Sequence, residues 1–162
     1  MNVKKNTEIL EISHDELVDL FSTALYGNYW VSAEYDKDFY NNLDPKLKQG
    51  DCFEDKLADT LLNGGEIYLY DNESEGEIYN DRSNAEAINE GNGVEYTQYT
   101  LTLVDIIDGL QRAANGTYKV QNDSKWVTKC FESFEDIDSS DFDLEMADTL
   151  LQVIMFNELV YG

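Results

Sequence analysis

The chain has 162 residues and carries 34 acidic against 11 basic side chains, a formal net charge of −23. With 42% hydrophobic and 12% aromatic residues, one proline and 10 glycines, it reads as a folded chain of one-domain size rather than a fibrous or low-complexity one. The charge argues against direct binding to nucleic acid or anionic membrane and favours a basic partner.

In chain order, "TEILEIS" (Thr7–Ser13) alternates and then meets a helix start. Ser13 and Glu16 form an S-x-x-E capping box before "LVDLFSTALYG". Leu17, Leu20, Phe21, Ala24 and Leu25 recur with helical spacing, and Gly27 suits the C-terminal end. "NYWVSAEYD" (Asn28–Asp36) is aromatic and fits either a strand or a continuation of the helix. The stretch to Gly50 holds Pro45 and reads as irregular or as short helical turns. "CFEDKLADTLLNGG" predicts a helix with Phe53, Leu57, Ala58, Leu61 and Leu62 inward, stopped by Gly64 and Gly65.

"GEIYLYD" (Gly65–Asp71) predicts a strand, with "VEYTQYT" (Val94–Thr100) as its partner. Between them lies an acidic insertion in which "GEIYN" is a candidate local hairpin strand. Thr102 and Asp105 predict a second capping box, for a helix with Leu103, Ile106, Ile107, Leu110 and Ala114 inward, ended by Gly116. "TYKVQNDSKWVTKCFESF" (Thr117–Phe134) reads as a short β-hairpin. A last helix begins near Asp141, with Ala147, Leu150, Leu151, Ile154 and Met155 as its stripe. The expected fold is α+β, about four helices packed on a small antiparallel sheet. Residues 1–162 form a single acidic domain with acidic insertions near 72–93 and 116–141.

The pentapeptide "ADTLL" occurs twice, at Ala58–Leu62 and Ala147–Leu151. The residues that follow differ, so it reads as helix patterning and not as duplication. On that reading Asp and Thr face outward, making Asp59 and Asp148 exposed acids.

Chemistry-bearing motifs are absent from the sequence: no nucleophile elbow, phosphate loop, HExxH or dinucleotide fingerprint. His14, the one histidine, is expected to be a solvated residue at a helix start. Cys52 and Cys130 are far apart and form no CxxC pair, which suits a reduced intracellular chain. The basic start is followed by too short an apolar run for a signal peptide, and nothing approaches the ~18 apolar residues of a membrane span. A cytoplasmic, non-enzymatic protein without cofactor is expected. "DNESEGEIYNDR" (Asp71–Arg82) places Asp71, Glu73, Glu75 and Gly76 as in a calcium loop. Arg82 stands at the twelfth position, where a bidentate Glu belongs, so no metal site is assigned.

The acids crowd two stretches, one from Glu132 to Asp148 and one through the central insertion. Duplex DNA carries one charge per ~1.7 Å of axis, and rows of carboxylates can imitate it toward a Lys/Arg-lined cleft. The candidate partner-binding residues are Asp136, Asp138, Asp141, Asp143 and Glu145, followed by Asp71, Glu73 and Glu75. Tyr68, Tyr70, Tyr79, Tyr96 and Tyr99 are candidate interface anchors or strand packing residues.

Four blocks, "DELVDLFSTALYGNYW", "GGEIYLYD", "YTLTLVDIIDGL" and "ADTLLQVIMFNELVYG", resemble in content and order a group of small acidic proteins of bacteriophages and prophages. That resemblance implies a phage protein acting in the bacterial host cytoplasm, and it carries over no activity or catalytic residue. Phage origin and charge together imply an inhibitor of the DNA-mimic type. Its expected partner is a basic host protein such as a CRISPR nuclease or restriction enzyme. The alternatives are a self-associating accessory or structural protein and a calcium-binding module.

Overall fold

The computed structural model describes residues 11–120 and 143–161. Among them are five α-helices and a four-stranded antiparallel sheet, an α+β fold. The elements are α1 (His14–Gly27), β1 (Val31–Tyr35), α2 (Lys37–Asn41), α3 (Phe53–Leu62), β2 (Ile67–Asp71), β3 (Ala85–Asn89), β4 (Glu95–Leu101), α4 (Leu103–Asn115), β5 (Lys119–Val120), α5 (Leu144–Phe156) and β6 (Glu158–Leu159). Sheet order is β1-β2-β4-β3, so β1 and β3 are the edges.

Local chemistry sets the helix ends. Glu16 N–H donates to Ser13 Oγ at 3.2 Å, and Ser13 N–H donates back to the Glu16 carboxylate at 3.0 Å. Thr102 N–H donates to Asp105 at 2.8 Å, and Cys52 N–H to Asp55 at 3.1 Å. Asp143 caps α5 by accepting from Met146 N–H at 2.9 Å. Gly116 closes α4 in the left-handed conformation, with φ of 69°.

The centre of the molecule is α5. From Met146 to Phe156 every residue except Asp148 is buried, and a helix apolar on all sides belongs inside. It packs against α1 and α4, and Phe156 meets Trp30, Tyr79 and Tyr99 at ring separations of 5.2–5.5 Å. Gly109 of α4 lets the two helices approach: a Cβ there would stand 2.7 Å from Ile154 Cα. The carboxyl end of α5 is met by donors from two other elements. Arg112 donates to Val153 O at 3.1 Å, Arg82 to Ile154 O at 3.3 Å, and Asn80 to Phe156 O at 2.8 Å. Two guanidinium groups at a helix C-terminus complement its partial negative charge. Burial, and then Arg82 nearby, lower the Arg112 pKa.

Of the two readings of "NYWVSAEYD" the strand holds, over Val31–Tyr35 as β1. Several expectations change. "GEIYN" forms no hairpin strand; the hairpin partner of β4 is β3, in register Ala85↔Tyr99 to Asn89↔Glu95. The Gly76–Asn80 run is held as a turn by side chains instead, with Thr97 Oγ1 donating to Glu77 O at 2.8 Å. Of the hairpin expected over Thr117–Phe134, the described start pairs in parallel with β6; the rest lies outside the described residues. Phe53 is exposed rather than inward: it is the first residue of α3, and its ring meets Tyr35 at 5.9 Å. Among the described residues, no helix is long and apolar enough to cross a membrane.

Candidate interaction surface

Strand alternation gives the sheet two unlike faces. Inward lie Val31, Ile67, Leu69, Tyr99 and Leu101, all core residues. Outward, the register aligns Glu34 with Tyr68 and Thr100, Ser32 with Tyr70, Gln98 and Glu86, and Tyr96 with Ile88. None of Tyr68, Tyr70, Tyr96 and Ile88 belongs to the core. The rings of Tyr70 and Tyr96 meet edge-on at 5.6 Å.

This tyrosine patch has an acidic rim. The Tyr96 hydroxyl donates to Glu90 at 3.0 Å, and that bond raises its pKa. Tyr68 is raised by burial and then by the charges of Asp36 and Glu66, Tyr70 by burial and then by Glu34. The phenols therefore stay protonated as donors. Glu34 and Glu86 stand on opposite edge strands, about 14–16 Å apart on strand spacing alone. Lys37 pairs with Glu34 at 3.8 Å, both exposed enough to make that pair weak. Around the β3 side, Glu66, Glu86 and Asp105 line a groove of about 610 Å³ with Asn84, Thr100 and Thr102.

The residues expected to bind a partner separate in space. Asp143 and Glu145 are exposed at the start of α5, where Leu144 lies over Gly27. Glu73 and Glu75 are exposed on the turn after β2, Glu75 with a positive φ of 51°. Asp136, Asp138 and Asp141 lie outside the described residues. Asp71 is not a surface acid: its relative exposure is 0%. Both its carboxylate oxygens accept from the Tyr161 hydroxyl, at 2.9 and 3.0 Å, and it also takes Glu73 N–H at 3.2 Å. Burial pushes its pKa up to about 6, against the lowering effect of Tyr161.

The calcium-like spacing thus does not assemble. Asp71 points inward and Arg82, at the twelfth position, is held by α5. Among the described residues no group of three or more acid, His or Cys side chains is placed to hold a metal ion.

Two further expectations are corrected. His14 is not solvated: its side chain is 10% exposed, with Nε2 at 3.2 Å from Asp55 and 3.7 Å from Asp59 of α3. Asp59 and Asp148 are not exposed acids. Asp59 is fully buried and accepts from Gln49 N–H at 2.8 Å. Asp148 accepts from the Trp30 indole at 2.7 Å and from Gln152 at 2.9 Å. In both copies of ADTLL the threonine hydroxyl donates within its own helix, Thr60 to Lys56 O and Thr149 to Glu145 O. A distant donor turns each Asp inward, and the preceding helical turn satisfies each Thr.

Of the five tyrosines singled out, Tyr68, Tyr70 and Tyr96 lie on the open face, while Tyr99 is buried and Tyr79 packs on Phe156. Crowding along the sequence did not point to Glu34 and Glu66; strand parity does, since both share the outward phase of the tyrosines. No family model, curated protein or solved structure matches the chain.

Proposed function

We propose that the chain is a phage-encoded, non-enzymatic acidic protein that occupies the basic nucleic-acid cleft of a host protein. The observation that carries this reading is the open sheet face, where three tyrosines lie inside a rim of Glu34, Glu66, Glu86 and Glu90 on a chain of net charge −23. Tyrosine and arginine are the residues on which interfaces concentrate their binding energy, and a guanidinium stacks on a phenol ring. Carboxylates around the rings would meet the Lys and Arg that otherwise hold phosphates. Asp143, Glu145, Glu73 and Glu75 add to the field that steers such a partner.

The test is capture of bacterial host proteins on the immobilised chain, followed by salt elution and competition with duplex DNA. A bound nucleic-acid-binding protein should be displaced by DNA, and its affinity should fall steeply with salt. Reversing Glu66, Glu86 and Glu90 to Lys together should weaken it at least about tenfold, since each reversal turns attraction into repulsion. Unchanged affinity in that variant, or indifference to DNA, overturns the reading.

A further inference from the structure

The backbone bonding of β1 shows which of its groups the sheet uses. Asn72 N–H donates to Trp30 O at 2.8 Å and Asp36 N–H to Glu66 O at 3.1 Å. In an antiparallel ladder these bonds place the even-numbered residues of β1 toward β2, so the N–H and C=O groups of Val31, Ala33 and Tyr35 point away from it; Val31 is buried, while Ala33 and Tyr35 are half-buried at the unpaired edge. Among the described residues no strand pairs with that edge. Beside it is a recess of about 260 Å³, walled by Leu25, Tyr26, Val31, Ala33 and Phe53 and reaching Glu54. Tyr26 is 80% exposed and Phe53 38%, so two aromatic faces stand open at the mouth. Glu54 is 7% exposed, with the Tyr26 hydroxyl donating to it.

An added strand places every second side chain on the face of the sheet where this recess lies. Apolar and aromatic walls with a carboxylate at the inner end match one kind of side chain, a long stem with a cationic head. We propose that β1 takes an extended basic segment of a partner protein as a fifth strand, with one Lys or Arg lying between Tyr26 and Phe53 and ending at Glu54. Charge argues for a basic partner over a second copy, because two chains of −23 repel. This inference stands on β1 and its recess and does not need the acidic-decoy reading of the opposite sheet features.

The probe is a synthetic peptide of alternating Thr and Val with one central Arg, and a twin with central Glu. Each is titrated into the isotope-labelled full chain and followed by backbone NMR and calorimetry. The Arg peptide should shift the Ala33 and Tyr35 amides and bind at least about tenfold tighter than its twin, as a charge-assisted bond implies. Glu54→Gln should remove that preference. Ala33→Pro deletes an edge donor that β2 does not use, and should abolish binding without lowering Tm. Phe53→Ala, at an exposed position, tests the recess independently should the proline variant fail to fold; it should weaken the Arg peptide alone. Equal binding of the twins, no binding, or binding indifferent to Ala33→Pro or Phe53→Ala overturns the proposal. So does exchange protection of the Ala33 and Tyr35 amides in the free chain, which would mean that a second copy or another segment of the chain already covers the edge.

Discussion

Asp71 shows how far one side chain's surroundings can depart from its type. It ends β2, and the Tyr161 hydroxyl closes over it. Its folded pKa of about 6 lies above the 3.8 of a free carboxyl, so between about pH 4 and pH 6 the folded state holds a proton that the unfolded state has released. Stability from this group is therefore greatest on the acid side and falls as pH rises through 6. Asp71→Asn keeps an acceptor for Tyr161 and removes the titration. The chain should lose about 1 kcal/mol between pH 5 and pH 7 that the variant keeps, measured by urea unfolding at each pH. Gln152 is the other decisive residue. Buried at 1% exposure, it accepts from Val160 and Tyr161 N–H at 2.8 and 2.9 Å. Its amide nitrogen donates to Asp148 at 2.9 Å and to Tyr161 O at 3.0 Å. All four capacities of the side chain are thereby used, which is what a buried amide requires.

At the scale of elements, Gly109 marks a close approach of α4 on α5. Gly109→Ala puts a methyl 2.7 Å from Ile154 Cα, a backbone atom that cannot turn aside. The helical preference of alanine, worth about 1 kcal/mol, is smaller than the overpacking it creates. The variant should be roughly 1–3 kcal/mol less stable, read as a lower urea midpoint with an unchanged slope. The capping boxes that start α1 and α4 were legible in the sequence, because a capping box joins residues three apart and needs no knowledge of the fold. The cap of α5 falls at Asp143, two residues past the expected start, and neither α2 nor the Cys52–Asp55 box was singled out. The β2–β4 pairing was legible too, from two alternating runs. The polar interior was not. Asp148 turns inward because of Trp30, 118 residues away, and nothing near it in the chain announces that donor. Asp59 and His14 fail the same way, across α1 and α3. Among the candidate site residues, Asp71 was misplaced for this reason; Glu66 needed only the parity of a strand already identified, while Glu34 lies in a stretch that the sequence left open between strand and helix.

For the whole molecule, the charge is the governing quantity. A net −23 opposes the compact state, and among the described residues most acids are exposed, where salt screens them. Raising sodium chloride from about 0.01 M to about 0.15 M shortens the screening length from ~30 Å to ~8 Å. The folded chain should gain stability over that range, seen as a rise in Tm in scanning calorimetry; a fall would show that specific ion pairs outweigh repulsion. The same field favours a partner of opposite charge at either the tyrosine face or the β1 edge.

The burial of α5 also bears on how the chain is made. Residues 144–156 supply the centre on which α1, α4 and the sheet close, yet they are synthesised after all of those. At about 5–20 residues per second, the inner faces of α1 and α4 wait on the order of several seconds after Asn115 for the helix that covers them. A nascent chain halted before residue 144 has its walls but no filling. Net negative charge of this size opposes association between such incomplete chains during that interval.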